Sequence, residues 1–469
     1  MRFINSRILF LLLFSFFAFY MNAKIVTYPV SPKILYAYHN DDFTVKVRQV
    51  GDKEWIDLYE YKVKVDMDTR SEASMVSFDF SGKIEVLVQK NNGELHSAAI
   101  RPLSKGIALK IEGNTVTFTL DKPQNLSIEC NGDHLHNLHL FANALETNKP
   151  IKGAPNVMYF EAGVHQPTDT VHKCFVIPSN TTVYLEGGAI LKGYIKCDSV
   201  ENVTVCGRGM ILEASNGLSA NFSKNITVED IMVVNPRYNT MTAGVSKNVT
   251  IRNLKSFSTQ GWGDGLDFFC CDGILVDNVF MRNSDDCIAV YAHRWNFYGD
   301  VRNITVQNST LWADIAHPIN IGTHGNTETE GEVMENMLFK NIDILDHDED
   351  DPDYQGCMAI NVGDNNLARN ITFDNIRIER IEEGQLFHLR VMYNKKYNTG
   401  PGRGVQNVTF RNIYYTGKNE NPSLFEGYSV DRNISNIYFE NINVNGKRLK
   451  SFGELNVKKG NFIEKLFLK

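Results

Sequence analysis

Hydrophobic and polar positions alternate in short runs along much of the chain, and these runs recur. Each run starts at an asparagine and places a β-branched or aromatic residue at every second position, as in Asn202-Val-Thr-Val and Asn370-Ile-Thr-Phe. The runs begin at Asn202, Asn225, Asn248, Asn303, Asn336, Asn370, Asn407 and Asn436. Their spacing is roughly 23 residues at first and roughly 30 to 37 later, as in stacked repeats. One such unit cannot bury its own inner face. The pattern therefore predicts an all-β fold, a right-handed parallel β-helix.

The chain before the repeats has a different pattern. Runs such as Phe43-Thr-Val-Lys-Val and Val116-Thr-Phe-Thr-Leu alternate with period two between turn residues, and they predict a small antiparallel β-sandwich. We expect the sandwich to cap the open first coil of the solenoid. The predicted organisation is a signal peptide over 1–23, a capping sandwich over 24–150, the β-helix over 151–455 and a C-terminal tail over 456–469.

The first residues have the features of an export signal. Arg2 and Arg7 precede an apolar run from Ile8 to Tyr20, which is short for a membrane span. We therefore expect an exported protein, periplasmic or extracellular, without a membrane partner after signal cleavage. The net charge of -7 is unfavourable for binding nucleic acid, so we expect no nucleic-acid partner. We also expect a monomer. The eight cysteines are scattered, so disulfides and buried free thiols are both open.

Several repeat asparagines also fit the acceptor pattern for N-glycosylation, namely Asn225, Asn248, Asn303, Asn370 and Asn407. A structural role is the alternative, because asparagine side chains satisfy backbone groups at turns and can stack on their copies. We favour the structural role, since the asparagine recurs with the repeat.

Acidic residues recur at one point of successive units. Asp264, Asp286 and His317 each stand just before a short apolar strand, and Asp285 adjoins Asp286. If those strands stack in register, neighbouring residues lie about 4.8 Å apart. Carboxylates that close do not ionise independently, so at least one pKa should rise and provide a proton donor near neutral pH. Such carboxylate pairs cleave glycosidic bonds.

Three motifs resemble those of a known family. Asp264-Gly-Leu-Asp, Asp285-Asp286-Cys-Ile-Ala and His317-Pro-Ile-Asn-Ile-Gly resemble the Asn-Thr-Asp, Asp-Asp-Cys-Ile-Ala and Gly-His-Gly signatures of the polygalacturonases, glycoside hydrolase family 28. The preceding sandwich and the stretch from Leu311 to Ile344 also resemble the dextranase and isopullulanase group, family 49.

The resemblance implies catalytic roles. Asp285 matches the general acid of family 28, and Asp264 and Asp286 match the pair that activates water. His317 is expected beside the acid, where it tunes protonation or contacts the sugar. A separation of about 6.5–9.5 Å between acid and base leaves room for that water and gives an inverted product. The resemblance implies no cofactor and no metal.

The resemblance ends where a substrate carboxylate would be held. Polygalacturonases have Arg-Ile-Lys on the coil after the histidine motif, whereas Asn361 and Gly363 occupy those positions here. Arg390, one coil further on, either replaces the lost charge or is an ordinary surface arginine. We expect a secreted inverting hydrolase of pectin or rhamnogalacturonan, with a dextranase-like hydrolase of a neutral α-glucan as the alternative. A polysaccharide lyase or epimerase and a non-catalytic sugar-binding β-helix are alternatives from other classes.

Polar and aromatic residues beside the motifs are candidates for binding substrate, although each also has an ordinary structural role open to it. They are Asp267, Trp262, Tyr291, Arg294, Trp295, Asn320, His324, Asn361 and Arg390. Loops over Ala292–Asp300, Gly325–Glu335 and Asp346–Gly356 should wall a groove. The acidic run Asp346–Asp353 lacks the spacing of a calcium loop, so we expect a solvated loop there.

Overall fold

The computed structural model describes residues 24–469, and the predicted signal peptide lies outside the described residues. Within this range the chain is built of strands, with two short 3-10 turns at Leu103–Lys105 and Phe452–Glu454. A sandwich of two sheets comes first, and a long solenoid follows.

The first sheet of the sandwich contains Lys24–Val26, Tyr61–Val65, Ser71–Ser81, Ala98–Arg101, Gln124–Cys130 and Asp133–Ala144. The second contains Phe43–Gln49, Ile56–Asp57, Ile84–Lys90, Leu109–Glu112 and Thr115–Leu120. An apolar core lies between them, with Val45, Phe78 and Leu140 fully buried. The predicted sandwich is present, but it is not wholly antiparallel. Ser71–Ser81 and Asp133–Ala144 pair in parallel, because the chain between them crosses to the second sheet and returns.

The solenoid has two sheets of stacked strands. The larger contains Val157–Phe160, Gly163–His165, Thr182–Leu185, Ala189–Leu191, Glu201–Gly207, Met210–Leu212, Lys224–Glu229, Met232–Val234, Lys247–Arg252, Lys255–Phe257, Asp272–Asp277, Phe280–Ser284, Val301–Gln307, Thr310–Ile315, Val333–His347, Leu367–Ile378, Gly404–Tyr415, Ile434–Val444, Lys447–Arg448 and Ile463–Leu468. The smaller, which we call the site sheet, contains Cys174–Val176, Tyr194–Lys196, Leu218–Ser219, Met241–Gly244, Leu266–Phe269, Ile288–Tyr291, Ile319–Gly322, Met358–Val362, Phe387–Val391, Ser423–Glu426 and Val457–Lys459. A hairpin, His293–Arg294 with Phe297–Tyr298, projects beside it. The predicted parallel β-helix is confirmed.

Inward-facing side chains of successive coils stack on one another. Phe339, Phe373, Phe410 and Phe439 form one such column, with ring centroids 4.9, 5.1 and 5.1 Å apart. These distances match the spacing of paired strands, so each ring covers the one below it. The column shows how a unit that cannot bury its own inner face is completed by its neighbours.

The repeat asparagines form ladders along the turns. The side-chain amide of Asn225 donates to Asn202 Oδ1 at 2.9 Å, and that of Asn248 donates to Asn225 Oδ1 at 3.1 Å. Asn202, Asn225 and Asn248 have φ values of 56, 56 and 55°, a left-handed conformation that asparagine tolerates. A second ladder, which the sequence analysis did not identify, includes Asn308 and Asn341 at 2.8 Å. The structural role of the repeat asparagine is therefore present at these turns.

The sandwich packs against the side of the solenoid, along several coils rather than at the first coil alone. Its Phe141 belongs to one buried cluster with Phe257, Phe280 and Trp312, which lie on successive coils of the larger sheet. These strands are apolar on both faces, and the outer face needs a cover. A buried ion pair between Asp79 and Arg208, with Nε to Oδ1 at 2.8 Å, joins the two parts.

The predicted C-terminal tail is wrong. Val457–Lys459 pairs with Ser423–Glu426, and Ile463–Leu468 pairs with Ile434–Val444, so both complete a last coil. Phe467 stacks on Tyr438 with ring centroids 4.8 Å apart. This coil was missed because Ile463-Glu-Lys-Leu-Phe-Leu does not begin with the repeat asparagine.

All eight cysteines are free thiols, and seven of them are buried. The sequence left disulfides and buried free thiols open, and the structure has free thiols within the strand layers. Among residues 24–469, no helix has the length and apolar character needed to cross a membrane.

Candidate active site

The candidate acidic residues lie in turns that lead into the site sheet. Backbone bonds hold these turns together: Gly265 N–H donates to Asp286 O at 2.8 Å, and Cys287 N–H donates to His317 O at 2.8 Å. A Cβ atom at Gly265 would lie 2.3 Å from the Cys287 carbonyl oxygen, so this close approach requires glycine. The register places Asp264 directly beside the turn of Asp286, as the strand pattern predicts.

Three carboxylates meet at this point. Asp264, Asp285 and Asp286 each present an oxygen, and these oxygens lie within 4.8 Å of one another. They are closer than the separation of about 6.5–9.5 Å expected between acid and base. The reason is that two of the carboxylates come from adjacent residues and the third from the turn stacked on them. Carboxylate oxygens so arranged are also donors that a divalent cation accepts.

Asp286 is surrounded by hydrogen-bond donors. His317 Nδ1 lies 2.6 Å from Asp286 Oδ1, and the backbone N–H of His317 donates to the same oxygen at 3.2 Å. Tyr291 OH and Asn320 Nδ2 donate to Oδ2, each at 2.8 Å. His317 Nε2 in turn donates to the Tyr354 carbonyl oxygen at 2.6 Å. Both ring nitrogens of His317 are thus engaged, and no contact with sugar remains open to them.

The pair of Asp286 and His317 is charged. Burial raises the pKa of Asp286, but the His317 charge and the four donors outweigh it and hold that pKa below its ordinary value. Burial lowers the pKa of His317, but the Asp286 carboxylate outweighs it and raises that pKa. His317 therefore pairs with Asp286 rather than with Asp285, beside which the sequence analysis expected it.

The other two carboxyl groups hold protons more readily. Burial, followed by the Asp286 charge, raises the pKa of Asp285 to about 6. Its oxygens accept hydrogen bonds from Trp262 N–H at 3.1 Å and Asp286 N–H at 3.0 Å. Burial and the Asp285 charge raise the pKa of Asp264 well above its ordinary value. The site thus combines one carboxylate of lowered pKa with two carboxyl groups of raised pKa.

Asp267 is a fourth carboxyl group of the site. It is 4% exposed and accepts a hydrogen bond from Asn239 Nδ2 at 2.7 Å. Burial raises its pKa to about 7. Asp267 therefore lies on the floor beside the trio, held by an asparagine from the preceding coil.

The predicted aromatic residues divide into two groups. Trp262 and Trp295 are 67% and 61% exposed, so their rings are available to a sugar face. Tyr291 is 8% exposed, stacks on Phe269 and uses its hydroxyl on Asp286. The sequence left two roles open for Tyr291, stacking on substrate and packing in the core. Its ring is packed in the core in this structure and is not available to substrate.

Arg294, which belongs to the hairpin, lies against His324. Arg294 Nη1 lies 3.4 Å from His324 Nε2, and the guanidinium lies 5.2 Å from the centre of the Trp295 ring. Burial, followed by the Arg294 charge, lowers the pKa of His324 to about 4. His324 is consequently neutral and can accept from Arg294, while its ring contacts Tyr291 edge-on.

Neither Asn361 nor Arg390 supplies a free positive charge in place of the missing clamp. Asn361 is fully buried, and its Nδ2 lies 3.4 Å from Asn320 Oδ1. Arg390 pairs with Glu426 at 3.2 Å and with Asp353 at 3.6 Å. The possibility that Arg390 holds a substrate carboxylate is thus weakened, because two acidic side chains already neutralise it.

Two residues of the site were not identified from sequence. Tyr354 OH lies 2.9 Å from Asn320 Nδ2 and 2.8 Å from Thr323 Oγ1, and Asn239 holds Asp267. Tyr354 directly follows the acidic run Asp346–Asp353. Asp346, at the start of that run, is part of the strand Val333–His347, is 3% exposed and pairs with Arg380, so the run is only partly a solvated loop. Apart from its position in a loop predicted to wall the groove, Tyr354 carries no signal in the sequence.

A parallel β-helix with clustered carboxylates in the turns of one sheet defines a class of carbohydrate-active fold. Within it, residues 179–461 match the profile of glycosyl hydrolases family 28. The match covers more than half of the chain, and the chain belongs to this family.

Individual relatives match over shorter stretches. "Probable exopolygalacturonase X" of Neosartorya fischeri is 26% identical over 196 residues, 39% of this chain and 43% of that protein. "Exopolygalacturonase" of Cochliobolus carbonum is 26% identical over 198 residues, 39% of this chain and 42% of that protein. The match thus spans less than half the length of these curated relatives. Among solved structures, Dex49A from Penicillium minioluteum has a TM-score of 0.60 at 13% identity, covering 95% of this chain and 96% of that one, and shows the fold alone.

Proposed function

We propose that this protein is an exported O-glycoside hydrolase that cleaves a pectin-type polysaccharide. The observation that carries the proposal is the carboxylate trio, in which His317 keeps Asp286 ionised while burial raises the pKa of Asp285 to about 6. One ionised and one protonated carboxyl group side by side are what glycoside hydrolysis requires. Family membership and the names of the relatives support the same reaction class.

In the proposed mechanism Asp285 protonates the leaving glycosidic oxygen. Asp286, with Asp264 beside it, orients a water molecule for attack on the anomeric carbon and accepts its proton. His317 is a positioning residue, because it acts through Asp286 and does not touch the sugar. The exposed rings of Trp262, whose N–H donates to Asp285, and of Trp295, in the turn of the hairpin, are available for stacking on the substrate.

Stereochemistry tests these roles. We expect inversion at the anomeric carbon, because in the proposed roles a water molecule rather than a carboxylate attacks that carbon. NMR of the reducing-end proton during early hydrolysis measures the outcome. Initial retention of configuration would instead identify Asp264 as a nucleophile, which is the behaviour that closely spaced carboxylates show in other enzymes.

Substrate choice tests the missing clamp. We expect kcat/KM on unbranched polygalacturonate to be lower than on rhamnogalacturonan, because a lost charge-assisted hydrogen bond costs roughly 1.5–3 kcal/mol. The assay is reducing-end release from a panel that includes polygalacturonate, rhamnogalacturonan, dextran and other α-glucans. Absorbance from an unsaturated product distinguishes a lyase, and release from none of the polymers contradicts the proposed function.

The panel has an internal control in Arg390→Ala. Because Glu426 and Asp353 already pair with Arg390, this change should leave relative rates on the acidic polymers unaltered. A preference for polygalacturonate that disappears in Arg390→Ala would show that Arg390 is the clamp after all.

A further inference from the structure

A cleft of about 660 Å³ lies where the N-terminal segment meets the first solenoid coils. None of its lining residues belongs to the carboxylate site. We call it the basic cleft and define it by Lys33, Tyr38, Lys173, Lys192, Glu213 and Arg237.

The basic cleft follows the same column of turns as the catalytic carboxylates. Thr240 N–H donates to Asp264 O, and Arg237 N–H donates to Ala214 O, which places Arg237 one coil before Asp264. Glu213 lies two coils before Asp264, and Lys192 lies three coils before it. An ion pair of 3.0 Å joins Lys192 and Glu213 across their neighbouring coils. At about 4.8 Å per coil, the coils of Arg237, Glu213 and Lys192 are displaced from that of Asp264 by roughly 5 to 14 Å along the solenoid axis. The cleft and the carboxylates therefore occupy turns of successive coils.

Positive charge dominates the basic cleft. Glu213 is its one acidic lining residue, and it is shared between Lys192 at 3.0 Å and Lys64 at 3.8 Å. Within residues 24–469, the side chains of Lys33, Lys173 and Arg237 form no ion pair and are solvent-exposed. Exposed cations gathered in a concave surface attract an anion more strongly than the same charges spread on a convex one.

Polar and aromatic groups in the basic cleft suit a sugar. The Tyr38 hydroxyl donates to Glu213 and accepts from Lys192 Nζ at 2.6 Å, and the ammonium lies 4.6 Å from the centre of the Tyr38 ring, so these three side chains satisfy one another. Gln166 and Ser215 contribute further hydrogen-bonding groups to the lining. The lining thus combines hydroxyl, amide and cationic groups with the apolar side chains of Ile34, Val164 and Ala214, a mixture that fits a sugar ring with an apolar face and polar edges.

We propose that the basic cleft is a distal subsite that binds a uronate-bearing part of the glycan, a few sugar residues from the cleaved bond. The proposal rests on the proposed glycoside hydrolase function and specifies its substrate. The carboxylate that is not gripped beside the catalytic trio, where Asn361 and Gly363 stand, is recognised instead by Lys33, Lys173 and Arg237. The favoured substrate is consequently an acidic polymer whose uronate lies away from the scissile linkage.

The test measures binding by titration calorimetry with the full chain carrying Asp285→Asn, so that turnover does not consume the ligand. The probes are a galacturonate oligosaccharide of defined length and its carboxyl-reduced, neutral counterpart. Adding Lys33→Gln, Lys173→Gln and Arg237→Gln together should weaken binding of the acidic probe by about tenfold or more. Binding of the neutral probe should not change, and the salt dependence of acidic binding should become shallower.

The matched control is Lys53→Gln, Lys83→Gln and Lys122→Gln, which removes the same charge from exposed turns of the sandwich. Equal binding of the acidic probe by the two triple variants, or no binding by the Asp285→Asn protein, overturns the inference. Reducing-end release by the protein with Asp285 intact is measured separately. Acidic binding lost only in the basic-cleft variant, without hydrolysis of any polymer, would leave the subsite in place and contradict the hydrolase function.

Discussion

Asp285→Asn should lower kcat by about a hundredfold or more, since a general acid contributes typically about 10²–10⁴-fold. The amide keeps the size of the carboxyl group and an oxygen for one of the two backbone donors, Trp262 N–H and Asp286 N–H, so the fold should be retained. The measurement is reducing-end release on the best polymer of the panel, together with thermal unfolding. Asp57→Asn, a surface change in the sandwich, is the control.

The same prediction has a pH signature. Asp285 must be protonated to act, and its pKa is raised to about 6, so wild-type activity should fall as pH rises through about 6. Asp286 must be ionised, and its lowered pKa places the acidic limb below the ordinary range of aspartate. If Asp285→Asn retains more than about a tenth of wild-type kcat, equivalent to a loss below about 1.4 kcal/mol, Asp285 is not the acid.

His317→Gln should have the second large effect, lowering the free energy of unfolding by about 3–5 kcal/mol, because it leaves the buried Asp286 carboxylate without its charged partner. Burial alone raises the pKa of Asp286, so the acidic limb of the activity profile should move to higher pH. Because the pKa of Asp286 is lowered by folding, it stabilises the fold at pH values above the pKa of aspartate in the unfolded chain. Because the pKa of His317 is raised by folding, it stabilises the fold at pH values below the pKa of histidine in the unfolded chain. The loss should therefore be largest between about pH 4 and pH 6.5 and smaller outside that window.

His347→Gln is the matched control for this prediction. His347 is also fully buried and its ring lies 6.2 Å from that of His317, but burial lowers its pKa to about 3. Its Nδ1 donates to the Ala316 carbonyl oxygen at 2.8 Å, so its replacement removes hydrogen bonds and no charge. Denaturant unfolding at about pH 5 and about pH 8.5 compares the two variants. A loss of stability that is equal in both and independent of pH would refute the ion pair.

The sequence alone determined the architecture and the position of the trio. Asparagine turns, period-two apolar runs and a repeat too short to bury itself lead to one solution, a stacked solenoid. Once the strands stack, residues that hold the same place in successive units must become neighbours. The repeat pattern therefore places Asp264, Asp286 and His317 together.

The tertiary structure decided which of these neighbours interact. Proximity alone did not tell whether His317 pairs with Asp285 or Asp286, because the two carboxylates are adjacent in one turn and only their side-chain directions differ. Tyr354 reaches the site from a loop whose path depends on packing. Arg390 looked available in the sequence, yet its acidic partner Glu426 comes from the next coil and Asp353 from a distant loop.

The placement of the sandwich shows the same limit at larger scale. Strands such as Met232–Val234 are apolar on both faces, so the pattern indicates burial without saying what covers the outer face. Packing of the sandwich along the side of the solenoid settled that question and, by placing Lys33 and Tyr38 over the first coils, formed the basic cleft. The local sequence pattern determines which strands form and which residues of successive repeat units become neighbours. Contacts between residues far apart in the chain, such as Arg208 with Asp79, depend on the free energy of the whole packed arrangement and only the folded structure reveals them.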